Sequence, residues 1–179
     1  FAFDGDGDRL GVIDKRGRVI WGDQILAILS KFILKNNPGA TIIGDVKCSS
    51  VLFNEIERLG GNPIMWASGH SLIKEKMIET GAKLAGEMSA HIFFSDEYYG
   101  FDDAIYCSLR MLQAINLEDK SLDEIFDNLP KMVNTKEARI DCPEEEKFDI
   151  IENIISKMQE NPNHDICRID GLRVSCEYG

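Results

Sequence analysis

Basic residues are the scarce class in this sequence. Lysine and arginine number 20 against 31 aspartates and glutamates, for a formal net charge of −11 at pH 7. Nucleic acids are held through their phosphates by Lys/Arg surfaces, so the shortage argues against a nucleic-acid partner. It does not argue against phosphorylated metabolites, because one bound cation and a few basic groups can dominate a pocket. Long apolar runs are also missing. None approaches the roughly 20 residues that a bilayer span requires, and no signal-peptide pattern is present, so no membrane role is expected. The five cysteines are an odd count with no Cys-x-x-Cys, which excludes a disulfide framework and a zinc site. Reduced thiols in a cytoplasmic protein follow. Apolar residues make up 44% of the chain, enough for a packed core, and 179 residues suit one or two domains. The chain opens without Met inside an apolar strand and stops at Glu177-Tyr178-Gly179, which reads as a piece of a larger protein.

What is present in excess is acid at one place. Asp4-Gly5-Asp6-Gly7-Asp8-Arg9 follows the short apolar run Phe1-Ala2-Phe3. On an extended strand the Cα atoms of Asp4 and Asp8 would stand roughly 13 Å apart, at about 3.3 Å per residue. Gly5 and Gly7 let the chain curl, so three carboxylates can turn onto one hard cation. Three protein oxygens, with the remaining positions left to water or substrate, suit Mg²⁺. An ordinary acidic turn would use the same residue types. The repeat of three carboxylates favours metal. An EF-hand loop fails, since Arg9 and Lys15 stand where it needs Gly and Glu. A haloacid-dehalogenase-type phosphatase remains an alternative, with Asp4 as nucleophile and Asp6 as acid/base, although Asp8 stands where that motif carries Thr or Val.

Downstream, strands and helices alternate. A hairpin is expected from Leu10-Gly11-Val12-Ile13-Asp14 and Val19-Ile20-Trp21. A buried helix then opens with Asp23 as N-cap. Strands follow at residues 41–46, 63–66, 83–86 and 92–94. They are separated by helices carrying Leu52, Ile56 and Leu59, and then Leu72, Ile73 and Met77 as inward residues. A helix from about Asp102 to Ile115 closes this part. The fold class is α/β, a mixed and mostly parallel sheet flanked by helices. A small, incomplete α+β domain follows: a linker helix from Ser121 to Leu129, a strand around Val133 to Ile140, a helix from Pro143 with three glutamates in its first turn, and a hairpin around Asp170-Gly171. The Phe148, Ile151, Ile155 and Met158 stripe reads as core packing. The division is 1–13 for a metal loop and strand, 14–117 for an α/β domain, and 118–179 for the linker and α+β part.

Ligands of α/β sheets gather at the carboxyl ends of strands. Four segments occupy such places: the acidic loop, Asp45-Val46-Lys47, Ser68-Gly69-His70-Ser71, and Gly86-Glu87-Met88-Ser89-Ala90-His91. Lys47 offers a flexible cation, and His70 and His91 offer proton transfer near neutrality. Taken singly, Lys47 is a solvated cap residue, and His70 is as readily a helix-start residue. Glu87, Ser89 and His91 recur at period two, which would set three polar side chains on one face of an extended segment. A buried polar network is the plain alternative to a sugar-binding loop. Together the segments make a polyol-phosphate site credible.

These segments, with Gly69-His-Ser-Leu-Ile-Lys74 and Gly100-Phe-Asp-Asp-Ala104, resemble the α-D-phosphohexomutases in order and spacing. The match is closest to the bacterial phosphomannomutase/phosphoglucomutase branch and covers nearly the whole chain. The resemblance implies the end of that family's domain 2, its domain 3 and the first part of domain 4. It implies Asp4, Asp6 and Asp8 as Mg²⁺ ligands and Arg9 beside a phosphoserine. Glu87 and Ser89 would read sugar hydroxyls, while Lys47, His70 and His91 would contact the sugar and assist proton transfer. The implied reaction moves phosphate between the 1- and 6-positions of a hexose, mannose or glucose, through a bisphosphorylated sugar. Ala90 departs from the family's second glycine in Gly-Glu-Met-Ser-Gly-His. The phosphoserine belongs to the family's first domain, so this chain by itself is expected to be inactive and to need the missing domains as partners. A non-catalytic sugar-phosphate-binding module is the remaining alternative.

Overall fold

The computed structural model describes residues 1–131 and 138–176. It divides into two units, Phe1–Lys131 and Met132–Gly179.

The first unit starts with a three-stranded antiparallel sheet, β1 (Ala2–Phe3), β2 (Leu10–Ile13) and β3 (Val19–Ile20), in that spatial order. The acidic loop joins β1 to β2. Helix α1 (Gly22–Asn36) follows directly. Asp23 was the expected N-cap, but the helix starts two residues earlier, at Gly22. The cap position falls to Trp21, whose N–H donates to Gln24 Oε1 at 2.9 Å. Asp23 is instead buried in the first turn, where it accepts from Ser49 N–H at 3.1 Å. Tertiary pairing has taken a residue that local capping rules would have kept.

Four strands then build the central sheet: β4 (Thr41–Asp45), β5 (Asn62–Trp66), β6 (Leu84–Gly86) and β7 (Ile92–Phe94). Their order is β5–β4–β6–β7. The β4–β5 and β4–β6 pairs are parallel, and β7 returns antiparallel to β6. The mixed, mostly parallel sheet is as the alternation implied. Between them lie α2 (Ser50–Arg58) and α3 (His70–Thr80); α4 (Ala104–Glu118) and α5 (Leu122–Asp127) follow β7. Strand residues alternate between two cores. Ile42, Leu84, Ile92 and Phe94 pack with Leu26 and Leu29 of α1, Leu52 of α2 and Met111 of α4. Ile43, Ala85 and Phe93 point the other way, onto Ile73 and Met77 of α3. Helices therefore cover both faces, which a parallel sheet requires. Truncating Phe93, fully buried, would cost about 3–5 kcal/mol. Leu72, expected to face inward with Ile73, is 45% exposed, because α3 offers only one narrow stripe to the sheet.

Helix α5 belongs to the first unit. Its Asp123 and Asp127 pair with the β2–β3 turn, through Lys15 at 2.7 Å and Arg16 at 3.0 Å respectively. Arg18 bridges buried Asp14 and Asp127.

The second unit contains α6 (Lys147–Gln159) and a hairpin of β8 (Asp165–Cys167) and β9 (Arg173–Ser175). The hairpin turns at Gly171, φ 68°, as its Asp-Gly pair implied. The helix starts later than expected. Pro143 O accepts from Glu146 N–H at 3.0 Å, closing a turn that keeps Glu144–Glu146 outside the helix. Its stripe is also narrower than expected: Ile155 is buried while Phe148 is 71% exposed. The strand expected around Val133 to Ile140 falls mostly on residues 132–137, outside the described residues.

Candidate functional site

The carboxyl ends of β4, β5 and β6 carry three loops, and a single buried carboxylate ties them together. Asp45 closes β4. Its Oδ1 accepts from the Cys48 and Met88 N–H groups at 3.1 and 3.2 Å, and its Oδ2 from Ser68 Oγ at 3.2 Å. Each of the three loops thus donates to one side chain, which is 2% exposed.

The segment expected to be extended, residues 87–91, is a tight turn joining β6 to β7. Glu87 N–H donates to His91 O at 2.9 Å and Ala90 N–H to Glu87 O at 2.9 Å. Antiparallel return of β7 forces this reversal, so the three residues do not line one extended segment: Glu87 and His91 lie opposite each other at the base of the turn, and Ser89 lies at its tip. Glu87 is buried, and its Oε1 accepts from Gly69 N–H, the residue that precedes α3. Ser89 stands exposed at the tip, its Oγ 3.4 Å from Glu87 Oε2. Gly22 seats the turn from below. A Cβ there would lie 2.3 Å from Glu87 O and 2.7 Å from Met88 O. Ala90 adopts φ 72°, the left-handed region in which a side chain is strained. The position where the resembling family carries glycine is the position that needs one.

The acidic loop lies against the far end of that turn. Leu10 N–H donates to Ala90 O at 3.2 Å, Arg9 and His91 form an antiparallel bridge, and Ala104 N–H at the start of α4 donates to Gly7 O at 3.0 Å. Asp4, Asp6 and Asp8 each bring an oxygen within 4.8 Å of the others. Arg9 holds Asp4 twice, through N–H to Oδ1 at 3.1 Å and Nε to Oδ2 at 2.6 Å, and draws its pKa down to about 2. Burial pushes the Asp8 carboxyl up, opposed by His91 and reinforced by Asp6, Asp4 and Asp102. Asp8 Oδ1 is buried with no hydrogen-bond partner. Three clustered hard oxygens, one of them unpartnered, are a donor set that fits Mg²⁺.

Two imidazoles complete the centre. His70 and His91 stack at 6.0 Å, and His91 Nδ1 lies 3.6 Å from Asp8 Oδ2. Sequence reasoning assigned no role to the residue between them, Asp102, nor to Lys74, which donates to Asp102 at 3.2 Å. Burial works against ionisation of Asp102, but its backbone hydrogen bond and Lys74 outweigh it and keep the carboxyl below its ordinary range. Both residues lie in segments that carry the family resemblance, yet nothing in a one-dimensional string shows that 28 positions collapse to one contact. Lys47 is exposed at the carboxyl end of β4, on the rim with Ser89. So the acidic loop, Arg9, His70 and His91 meet in one cluster, while Glu87 and Ser89 border it on the turn. No contact between Lys47 and that cluster was found among the described residues.

The pattern of the phosphoglucomutase/phosphomannomutase α/β/α domain III matches residues 21–133. The chain belongs to the phosphoglucomutase/phosphomannomutase family. A Pseudomonas aeruginosa phosphomannomutase/phosphoglucomutase is 44% identical over 178 residues, 99% of this chain and 38% of that protein. The chain thus spans well under half the length of such relatives. A phosphoglucomutase/phosphomannomutase family protein from Burkholderia thailandensis superposes with a TM-score of 0.89 at 42% identity, over 99% of this chain and 37% of that one. The fold alone is shared with Aspergillus fumigatus N-acetylphosphoglucosamine mutase, crystallised with GlcNAc-6P and magnesium. That structure has a TM-score of 0.57 at 16% identity, over 70% of this chain and 32% of that one. Family membership sets aside the haloacid-dehalogenase reading of Asp4. Among the described residues no helix is long and apolar enough to cross a membrane.

Proposed function

We propose that this site belongs to a phosphomannomutase/phosphoglucomutase that interconverts hexose 1-phosphate and hexose 6-phosphate, an isomerase of carbohydrate metabolism in the cytoplasm. The observation that carries the reading is convergence. A cluster of three carboxylates meets two imidazoles beside the turn at residues 87–91, all at the end of a sheet in a chain of the phosphoglucomutase/phosphomannomutase family. Asp4, Asp6 and Asp8 would hold Mg²⁺, which when bound offsets charge on a transferring phosphoryl group.

The chain's own residues do the rest. Arg9 spends Nε on Asp4, which orients its guanidinium and leaves the terminal nitrogens for phosphate oxygens. Ser89 at the tip and Oε2 of Glu87 read sugar hydroxyls. His70 and His91 hold or move the hydroxyl proton, and Lys47 reaches the sugar from the rim. We carry the division 1–13, 14–117 and 118–179 as the family's domain 2 end, its domain 3, and a linker helix followed by partial domain 4; the linker helix α5 packs with the first unit. The phosphoserine that supplies the phosphoryl group would come from the part of a mutase this sequence does not include. The chain by itself then binds hexose phosphate without converting it, whereas a purely binding module would remain inert in any setting.

The test is turnover of glucose 1-phosphate and mannose 1-phosphate, with and without Mg²⁺, by the full-length protein and by this chain. Mg²⁺-dependent conversion by the former and none by the latter is expected. Inertness of the full-length protein toward both sugars would overturn the reading.

A further inference from the structure

Three cationic or proton-carrying side chains converge on one carboxylate. Asp102 lies between β7 and α4, bridged to Phe93, and its side chain is only 9% exposed. Its Oδ1 accepts from Lys74 Nζ at 3.2 Å. Its Oδ2 stands 3.2 Å from His91 Nδ1 and 3.4 Å from His70 Nδ1. The His91 ring is also packed against Phe93 at 6.5 Å and His70 at 6.0 Å, with near-parallel planes in both cases. Yet neither Asp102 Oδ2 nor His91 Nδ1, both buried, has an aligned hydrogen bond. At these distances neither ring nitrogen is aligned with the oxygen they both face. It is shared between them.

We propose that Asp102 is the positioning residue of the histidine pair. A carboxylate facing Nδ1 selects the tautomer with its proton on that nitrogen and leaves Nε2 as the lone-pair nitrogen available to a ligand. Lys74 anchors the other carboxylate oxygen, so Oδ2 stays aimed at the rings. Selection of the tautomer is a property of the cluster alone; only its consequence for turnover rests on the mutase reading above.

The chain holds three histidines, so their ring nitrogens can be separated by long-range ¹H–¹⁵N NMR at mildly alkaline pH. The expected result is His91 protonated on Nδ1. In Asp102→Asn the Nδ1–H share should fall and the Nε2–H form should grow, the residual share being what Asp8 Oδ2, 3.6 Å from the same nitrogen, still holds. His164, whose Nδ1 faces Met158 O at 3.0 Å, should be unchanged and serves as reference. Backbone amide spectra report whether Asp102→Asn folds; should it not, His70→Gln removes the competing ring and should strengthen the His91 Nδ1–H signal. In the full-length protein Asp102→Asn should lower kcat roughly 100-fold with KM within about threefold, and Asp102→Glu should recover part of the loss. Wild-type His91 carrying its proton on Nε2, or a tautomer unchanged by Asp102→Asn, would overturn the proposal. So would a kcat within about twofold of wild type, or Zn²⁺ binding at His91 that needs Asp102 but survives Asp4→Asn, which would make the cluster a metal site. The NMR arm needs no substrate, so a full-length protein inert toward hexose phosphates overturns the mutase reading alone.

Discussion

The turn at residues 87–91 and the loop at residues 4–9 lie side by side but are held in different ways. The turn is braced from beneath by a buried carboxylate, a backbone donor and a glycine: Asp45, Gly69 and Gly22. The acidic loop has Asp6 and Arg9 exposed, and its own Arg9–Asp4 pair supplies most of its side-chain contacts. A segment that must present hydroxyl-reading groups in fixed places gains from rigidity. One that gathers three like charges gains from freedom to close once a cation offsets their repulsion. The contrast is between a turn fixed by buried partners and a loop held chiefly by its own ion pair; under the proposed function, these are a preformed sugar reader and a loop whose geometry the ion completes.

Substitutions should break that contrast unequally. Asp45→Ala removes the acceptor shared by Cys48, Ser68 and Met88, leaving buried donors unpaired. It should cost about 3 kcal/mol, measured by urea unfolding, and weaken hexose-phosphate binding to the chain. An effect below about 1 kcal/mol would mean the brace is dispensable. Ala90→Gly acts in the opposite direction. Relief of the left-handed strain at φ 72° should stabilise the fold by about 1 kcal/mol, read as a raised denaturation midpoint; an unmoved midpoint would mean that the turn holds Ala90 without strain. Asp6→Asn, in the loop, should alter stability by no more than about 0.5 kcal/mol while lowering Mn²⁺ affinity at least about 10-fold, followed by Mn²⁺ electron paramagnetic resonance. Equal losses of stability from Asp6→Asn and Asp45→Ala would erase the distinction.

The smallest effect is that of acid on the loop. Arg9 holds Asp4 at about 2, below an unfolded carboxyl near 3.9, so whatever stability the pair contributes is present above that unfolded value and fades as the pH falls toward 2. The Asp4 carboxyl signal in ¹³C NMR should therefore titrate below pH 3, later than those of exposed aspartates. Arg9→Met should return it to the ordinary range.

Much of this was legible before any coordinates. Runs such as Thr41-Ile42-Ile43 and Ile92-Phe93-Phe94 announce strands buried on both faces, and Asp-Gly at 170–171 announces a hairpin, because local sterics and burial operate over few residues. The clustering of Asp4, Asp6 and Asp8 was legible too, since the glycines between them let the chain curl. What failed did so at contacts distant in sequence. Asp23 left its capping role for Ser49. The period-two spacing of Glu87, Ser89 and His91 suggested one face of a strand, but strand reversal turned it into a loop with Glu87 inside and Ser89 outside.

By itself the sequence determined the strand and helix succession, the gathering of the Asp4, Asp6 and Asp8 carboxylates in one glycine-spaced loop, and the kinship carried by its motifs. All of these reside in residue type and short spacing. Only the tertiary structure decided that Asp45 would join three loops, that Asp102 would stand between two imidazoles, and that the backbone at Ala90 would turn left-handed. Those outcomes depend on which backbone segments the sheet order β5–β4–β6–β7 brings together. A pairing between residues far apart in the chain leaves no periodic trace, because it exists only when the intervening elements have packed.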